Sequence, residues 1–350
     1  MKLSLRWKML LLVFCLIMAP VVLLGLNDYW TSRTLLTENV RMSARTALEG
    51  GLDVADTFLQ SVEDAVSMLS EDKSVKNVMS DAQAGQRVLD IFEAYVDSHA
   101  DIENAYYGTR NKDFYVYPPA PGGLPPGFDP TSRPWYQLAV SSGDITWTEP
   151  YVDTGSGKLV VSVAKPVFNA QRTQVMGVVG IDVSLDSLTA LISTRQVGQE
   201  GYLVLMDQTG LVLAHPSSDV IGQRMSDSYI TQLVFGSTSG ETDYSDGEEK
   251  FVAFDTIERT GWAMGAMISY DEANVHIKAQ LLRSLGIGLV LLLVAFGIAT
   301  LFTNRILIQP VYRLVDAAGA IGQGDFTAKV ELESNDEMGM LAQTFRKLQQ

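Results

Sequence analysis

Two uncharged apolar runs constrain this chain of 350 residues more than any other feature. The first extends from Met9 to Leu26 and the second from Leu285 to Phe302 (LGIGLVLLLVAFGIATLF). Each has roughly 18 residues, which at 1.5 Å per helical residue makes about 27 Å, close to the hydrocarbon thickness of a bilayer. Both read as membrane-spanning helices, with Pro20 tolerated inside the first. A cleaved signal peptide is the alternative for the first run, because Lys2, Arg6 and Lys8 precede it. No Ala-x-Ala site follows, however, and the run leaves into Asn27-Asp28-Tyr29-Trp30, whose aromatics suit an interfacial belt. An uncleaved anchor is expected.

The basic residues ahead of the first span place residues 1–8 in the cytoplasm. With spans over 9–27 and 284–303, residues 28–283 then lie outside and 304–350 return to the cytoplasm, so membrane lipid is one expected partner. Charge follows the same division. The outer segment carries about 35 acidic and 18 basic residues, which accounts for the formal net charge of −15. Such an excess serves solubility and gives cationic or zwitterionic ligands a favourable field. Nothing is basic enough for nucleic acid, which excludes that partner class. The lone cysteine, Cys15, falls in the first span, so no intrachain disulfide can form and the outer segment must stand on core packing.

After the first span, residues 31–80 contain no proline, and Val54, Phe58, Val62, Ala65 and Leu69 recur at helical spacing. A long stalk helix is expected there. From Ile102 the texture changes to short β-rich runs between turns: Asn104 to Gly108, Phe114 to Tyr117, Leu159 to Val167 and Val175 to Val183. A second set follows at Gly201 to Met206, Gly210 to Ala214, Glu249 to Phe254 and Trp262 to Ile268, beyond a helical stretch from Leu185 to Arg195. The fold class is therefore α+β. Two α/β subdomains, at about 85–190 and 195–270, hang on one long helix, and a further helix from Asp271 to Arg283 enters the second span.

The loop Gly127-Phe-Asp-Pro-Thr-Ser-Arg-Pro-Trp-Tyr136 spends an arginine and two aromatics where a turn needs none of them. Pro134 suits the first turn of a helix that stops near Gly143. Arg133 then sits at a helix entrance, where backbone N–H groups and the positive end of the dipole favour a carboxylate. Trp135 and Tyr136 add donors and apolar walls. Later, in Gly177-Val-Val-Gly-Ile-Asp-Val183, alternation puts Asp182, Gly180 and Val178 on one strand face. A carboxylate in so apolar a strand needs a partner. Gly180 leaves room beside it, and Tyr151 can add a hydroxyl. Two readings remain open on these residues: Arg133 and Asp182 grip opposite poles of an amino-acid-like guest, or they pair with each other.

The sequence RPWY, then PYVDTGSGKLVVSVAKPV, then GVVGIDVSLDSL resembles the double Cache (dCache) family of bacterial extracytoplasmic sensors, found in chemoreceptors and sensor kinases. GYLVLMDQTGLVLAHP is similar to that family's membrane-proximal module. The resemblance implies two PAS-like subdomains and a two-pass protein of the bacterial cytoplasmic (inner) membrane. In the amino-acid-binding branch, an Arg-x-Trp-Tyr motif holds the ligand carboxylate, and a later tyrosine and aspartate hold its ammonium. The matching positions are Arg133, Trp135, Tyr136, Tyr151 and Asp182. That branch has a tyrosine five residues before the arginine, where this chain has Phe128; one hydroxyl is missing, and the ring can still offer a cation–π face. Amino acids are the first expected ligand class, other amines and small carboxylates the second.

Beyond the second span, Ile308-Gln-Pro310 opens a segment with Leu314, Ala317, Ala318 and Ile321 at helical spacing. Gly324-Asp325-Phe326 follows, and Asn335-Asp-Glu-Met-Gly339 opens another helix with Leu341, Phe345 and Leu348. This resembles a HAMP signal-relay module, whose narrow apolar stripes imply a homodimer with a parallel four-helix coiled coil. The sequence stops at Gln350, about where such a module ends, so a cytoplasmic output of chemotaxis, kinase or cyclase type is expected elsewhere. An enzyme is the rival class: His99, His215 and His276 are scattered without ligand-like spacing, and no nucleophile elbow occurs, so neither catalysis nor a metal or other cofactor is expected. A receptor that reads a partner protein, with Arg133 and Asp182 purely structural, is the third class.

Overall fold

Helix α1 (Leu5–Glu71) begins in the first apolar run and continues for 67 residues. It ends where the Asp72 carboxylate accepts from the N–H groups of Ser74 and Val75 and starts α2 (Lys73–Asn77). The helical stretch expected over 31–80 is thus two helices, because an aspartate that caps its own backbone competes with continuing the first. The computed structural model describes residues 5–225, 237–245, 247–323 and 336–348. It comprises two units, Thr37–Ala273, and Met1–Leu36 with Asn274–Gln350.

In the first unit, α1 buries Val40, Ala44, Ala47, Leu48, Ala55, Leu59, Val62, Val66 and Leu69. Each large aliphatic among them stabilises by roughly 1.5–3 kcal/mol relative to exposure. Val54 and Phe58, expected in this stripe, are only partly buried, because Ala55 and Leu59 centre it one residue further on. Helix α3 (Ala84–Asp97) buries Ala84, Val88 and Phe92. The first sheet, which meets α1 farther along from its apolar run and is called distal for that reason, comprises β1 (Asn104–Thr109), β2 (Phe114–Tyr117), β3 (Thr146–Trp147), β4 (Tyr151–Val152), β5 (Leu159–Phe168) and β6 (Val175–Ser184). Its order is β2-β1-β6-β5-β3, with β4 also on β5, and the pairings are antiparallel. Helix α4 (Pro134–Ser142) packs on one face and ends at Gly143, whose φ of 73° is the left-handed cap.

Ser184 caps α5 (Leu185–Ser193), which leads to the second sheet. Strands β7 (Tyr202–Met206), β8 (Val212–Ala214), β9 (Ser239–Ser245), β10 (Glu249–Ile257) and β11 (Trp262–Ser269) lie in the order β8-β7-β11-β10-β9. Both sheets therefore share one order of strands. Strand β9 (SGETDYS) escapes a sequence reading because it has no β-branched aliphatic, and its residues alternate between exposed and half-buried as an edge strand's do. The stalk approaches this sheet closely. A Cβ on Gly51 would stand 2.5 Å from Leu203 Cδ1 and 2.8 Å from Met264 Sδ. Higher up, Glu63 joins stalk and both subdomains, accepting from Trp147 Nε1 at 2.9 Å and Arg259 Nη1 at 2.7 Å. Trp147 and Trp262 meet edge to face beside it.

In the second unit, α6 (Tyr270–Thr303) carries the other apolar run, and α1 and α6 are both long and apolar enough to cross a membrane. A short π-helical turn, Asn304–Ile308, precedes α7 (Gln309–Gly322), and the Asp336 carboxylate accepts from Met338 and Gly339 N–H to open α8 (Glu337–Leu348). Leu314 and Ala317 pack with Ala342, flanked by Met338 and Phe345. Leu341, expected on this stripe, is 46% exposed, since Ala342 takes the contact. The Gly324-Asp325-Phe326 signature, Asn335 and the Leu348 side chain lie outside the described residues.

Candidate functional site

The face of the distal sheet that carries Tyr106 and Asp182 is only partly filled. Tyr106, Trp135, Tyr136, Ala139, Ala164 and Val178 form a packed cluster, with Phe114, Val116 and Tyr151 at its edge. Beside it remains a cavity of about 150 Å³, walled by residues of β1, β2, β4, β6, the start of α4 and the loops at 118–128 and 153–156.

Register assembles the polar end. Asp182 on β6 stands opposite Asn104 on β1 and Ser162 on β5. Two residues away, Gly180 faces Tyr106, and a Cβ at that glycine would collide with the tyrosine ring. The missing side chain is thus what lets Tyr106 lie across the strand and reach Asp182. The carboxylate is 1% exposed. Its Oδ1 accepts from Ser162 Oγ at 2.5 Å and from the Tyr106 hydroxyl at 2.6 Å, with the Tyr151 hydroxyl at 3.4 Å. Asn104 Nδ2 donates to Asp182 Oδ2 at 3.2 Å and to Asp153 Oδ2 at 3.3 Å. All these donors are neutral, and among the described residues no lysine or arginine pairs with Asp182. Burial accordingly pushes its carboxyl up to about 7, the neighbouring charge of Asp153 adds to the rise, and the hydroxyl and amide donors oppose it. Burial, then the Asp182 charge, raises the Tyr106 and Tyr151 hydroxyls far enough to remain neutral donors.

Arg133 forms the other end. It is the N-cap of α4, in extended backbone, with Pro134 as the first helical residue. Its Nη2 donates to Thr154 Oγ1 at 2.8 Å, and the guanidinium carbon lies 6.0 Å from the Phe128 ring centre and 5.9 Å from that of Tyr151. The helix mouth offers fewer backbone donors than its sequence suggests. Pro134 has no N–H, and the N–H of Tyr136 already donates to the Arg133 carbonyl. Whatever a carboxylate gains here comes chiefly from the guanidinium, which no carboxylate pairs among the described residues.

Of the residues singled out from sequence, Phe128, Arg133, Trp135, Tyr151 and Asp182 all line this cavity. Tyr136 does not; one residue along a helix is about 100° of rotation, and Tyr136 packs into the cluster beside the cavity. Sequence reasoning also missed Asn104, Tyr106 and Asp153. Asn104 and Tyr106 become visible only once β1 is paired to β6, whereas Asp153, two residues after Tyr151, holds the Gly155 and Ser156 N–H groups in a tight turn that its Asp-x-Gly-Ser pattern foreshadows. Arg133 and Asp182 face one cavity without touching each other, and such a space can hold a molecule with opposite charges at its two ends.

Comparison with known proteins gives a consistent family. Residues 31–276 match the Cache domain model dCache_1, and residues 302–350 match the HAMP domain. The chain is 29% identical over 345 residues to the methyl-accepting chemotaxis protein McpC of Bacillus subtilis, covering 98% of this chain and 51% of McpC. It is 32% identical over 230 residues to PctB of Pseudomonas aeruginosa, covering 64% of this chain and 36% of PctB. The chain spans about half the length of the curated relatives it matches. Among solved structures, the ligand-binding domain of the Pseudomonas fluorescens chemoreceptor CtaA with L-isoleucine aligns with a TM-score of 0.57 at 26% identity, over 71% of this chain and 99% of that one. The PctB ligand-binding domain with L-Arg aligns with a TM-score of 0.55 at 25% identity, over 67% and 90%. This chain therefore belongs to the dCache_1 family of Cache domains, with a HAMP domain after its second apolar helix.

Proposed function

We propose that the chain is the sensory portion of a transmembrane chemoreceptor that binds a small zwitterion, an α-amino acid, in its membrane-distal Cache subdomain. Arg133 receives the carboxylate. Asp182, ionised on binding, receives the ammonium within the ring of Tyr106, Tyr151, Ser162 and Asn104. The observation that carries this reading is one cavity lined by both an arginine that no carboxylate pairs and a buried aspartate that no cation pairs among the described residues. A guest that supplies both counter-charges offsets the desolvation cost of these two groups. The amino acids bound by the ligand-binding domains of CtaA and PctB support the same class.

The two apolar helices anchor the chain in a bacterial cytoplasmic membrane, with the Cache domain outside and the HAMP domain inside, as the basic N-terminus directs. The HAMP helices pair with those of a second copy and pass a conformational bias to a cytoplasmic output. Ligand binding does this only through different affinities for two signalling states, a coupling of roughly 1–3 kcal/mol. The test is titration calorimetry of the full chain in lipid nanodiscs against the twenty common amino acids. At least one binds, and Arg133→Ala raises its Kd by roughly 30-fold or more. Wild-type affinity in both Arg133→Ala and Asp182→Asn would overturn the assignment.

A further inference from the structure

The cavity wall is divided by chemistry. Every charged group that lines it comes from the Glu103–Asn104 end of β1, from Arg133, from Asp153 or from Asp182. Glu103 is already engaged by Lys158 at 2.8 Å. Another part of the wall comes from one stretch, residues 114–128, whose lining side chains present carbon: Phe114 and Val116 on β2, Pro119 and Leu124 in the loop, and Phe128, whose ring centre is 6.0 Å from the Arg133 guanidinium carbon. Phe128 stands with its ring centre 4.9 Å from that of Phe114, so the two rings close an apolar surface. Leu124 is 36% exposed and Phe128 half-buried, so this surface is not yet fully covered by protein.

A zwitterion held between Arg133 and Asp182 projects its side chain from the carbon between its two charges. With its two charges held by Arg133 and Asp182, the remaining space is bounded by this apolar stretch, where a polar side chain finds no hydrogen-bonding side chain and loses its water. The volume limits size as well. A cavity of about 150 Å³ is of the order that accommodates one benzene-sized apolar molecule, which suits a compact aliphatic chain and not a long or doubly ringed one.

Resting on the amino-acid reading above, we infer that the ligand is a small aliphatic α-amino acid of about valine to leucine size, selected by the wall formed by Val116, Pro119, Leu124 and Phe128. Selection follows from area. Each methylene buried there tightens binding about fourfold, so valine binds roughly tenfold or more tighter than alanine. Asparagine, aspartate and lysine bind more weakly than alanine because they carry a polar group into the wall.

The experiment is calorimetric titration of the full chain in lipid nanodiscs with alanine, valine, leucine, isoleucine, asparagine, aspartate and lysine. Isobutylamine and isovalerate, which carry the same branched chain with one charge only, are titrated alongside. The expected result is the aliphatic order above, weak or no binding of either single-charge probe, and a Leu124→Asn variant in which the preference for valine and leucine over alanine falls by about fourfold or more. Asparagine or aspartate binding as tightly as valine overturns this inference and leaves the amino-acid reading standing. Isobutylamine or isovalerate binding as tightly as valine overturns the amino-acid reading while the apolar wall survives. Binding of none of these seven amino acids overturns this inference, and binding of none of the twenty common amino acids overturns the amino-acid reading with it.

Discussion

The two subdomains use the same strand order to opposite ends. In the distal sheet, Asn104 and Ser162 flank Asp182 across the ladder, and Tyr106 and Ala164 flank Gly180. In the proximal sheet the corresponding register places Tyr202 and Val252 beside Met267, and Val204 and Phe254 beside Gly265. The aspartate's place is taken by methionine, the serine's by valine and the alanine's by phenylalanine. The proximal residues close on one another as a single cluster, Val204, Met206, Val212, Val252, Phe254, Ala263 and Met267, with Tyr202 packed against it. The fold thus makes a face on which a cavity is possible, and a handful of side chains at fixed register decide whether it opens as a polar site or fills as core.

The largest test of that contrast moves the charge across it. Met267→Asp puts a carboxylate where no hydroxyl or amide is arrayed to receive it, and the sensor unit should lose roughly 3–5 kcal/mol in chemical denaturation. A loss below about 1 kcal/mol would mean that the proximal face tolerates charge as the distal face does, and the contrast would fail.

A smaller effect separates the faces by pH. With the Asp182 carboxyl at about 7, the folded chain holds a proton there that the unfolded chain releases near 4. Stability from this group is therefore greatest below about pH 4 and declines as pH rises to about 7. Amino-acid binding runs the other way, because an ammonium requires the ionised carboxylate. Affinity should be flat above about pH 7 and fall up to tenfold per unit below it. Calorimetry from pH 5 to 8 measures the slope, and Asp182→Asn should remove it. A slope unchanged in that variant would assign the proton to another group.

The smallest expected effect probes the join between the subdomains. Glu63 is 14% exposed and Arg259 26%. Glu63→Gln keeps an acceptor for Trp147 but gives up the ion pair with Arg259, costing about 1 kcal/mol. Hydrogen exchange should quicken in β11 and around Arg259 while amino-acid affinity holds; a matching loss of affinity would show that the cavity depends on the proximal subdomain.

How much of this was legible in the sequence depends on the range of the interactions involved. Strands β5 and β6 announce themselves through dense valine, β10 and β11 through aromatic, methionine and isoleucine residues, and α4 through Pro134 and Gly143, because those signals are local. The edge strand β9 has no such signal. Arg133 and Asp182 stood out because each is costly for its immediate surroundings. Asn104 and Tyr106 did not, since an asparagine and a tyrosine in a strand are ordinary until a partner some eighty residues away in sequence is set opposite them. The stalk stripe was misread by one residue at Val54 and Phe58 for a related reason: periodicity fixes a helical face only to within the rotation of a single residue, and the sheet it meets fixes the remainder.

Gly180 offers a way to deafen this molecule without discharging it. An added methyl there occupies the place of the Tyr106 ring, so alanine keeps every ionisable group of the pocket yet evicts the hydroxyl that steadies Asp182. At Gly265, the counterpart, the nearest atom would be Val204 Cγ1 at 3.2 Å, a crowding that a small shift of one side chain absorbs. One carbon atom at two related positions therefore furnishes a disrupted pocket and its matched control.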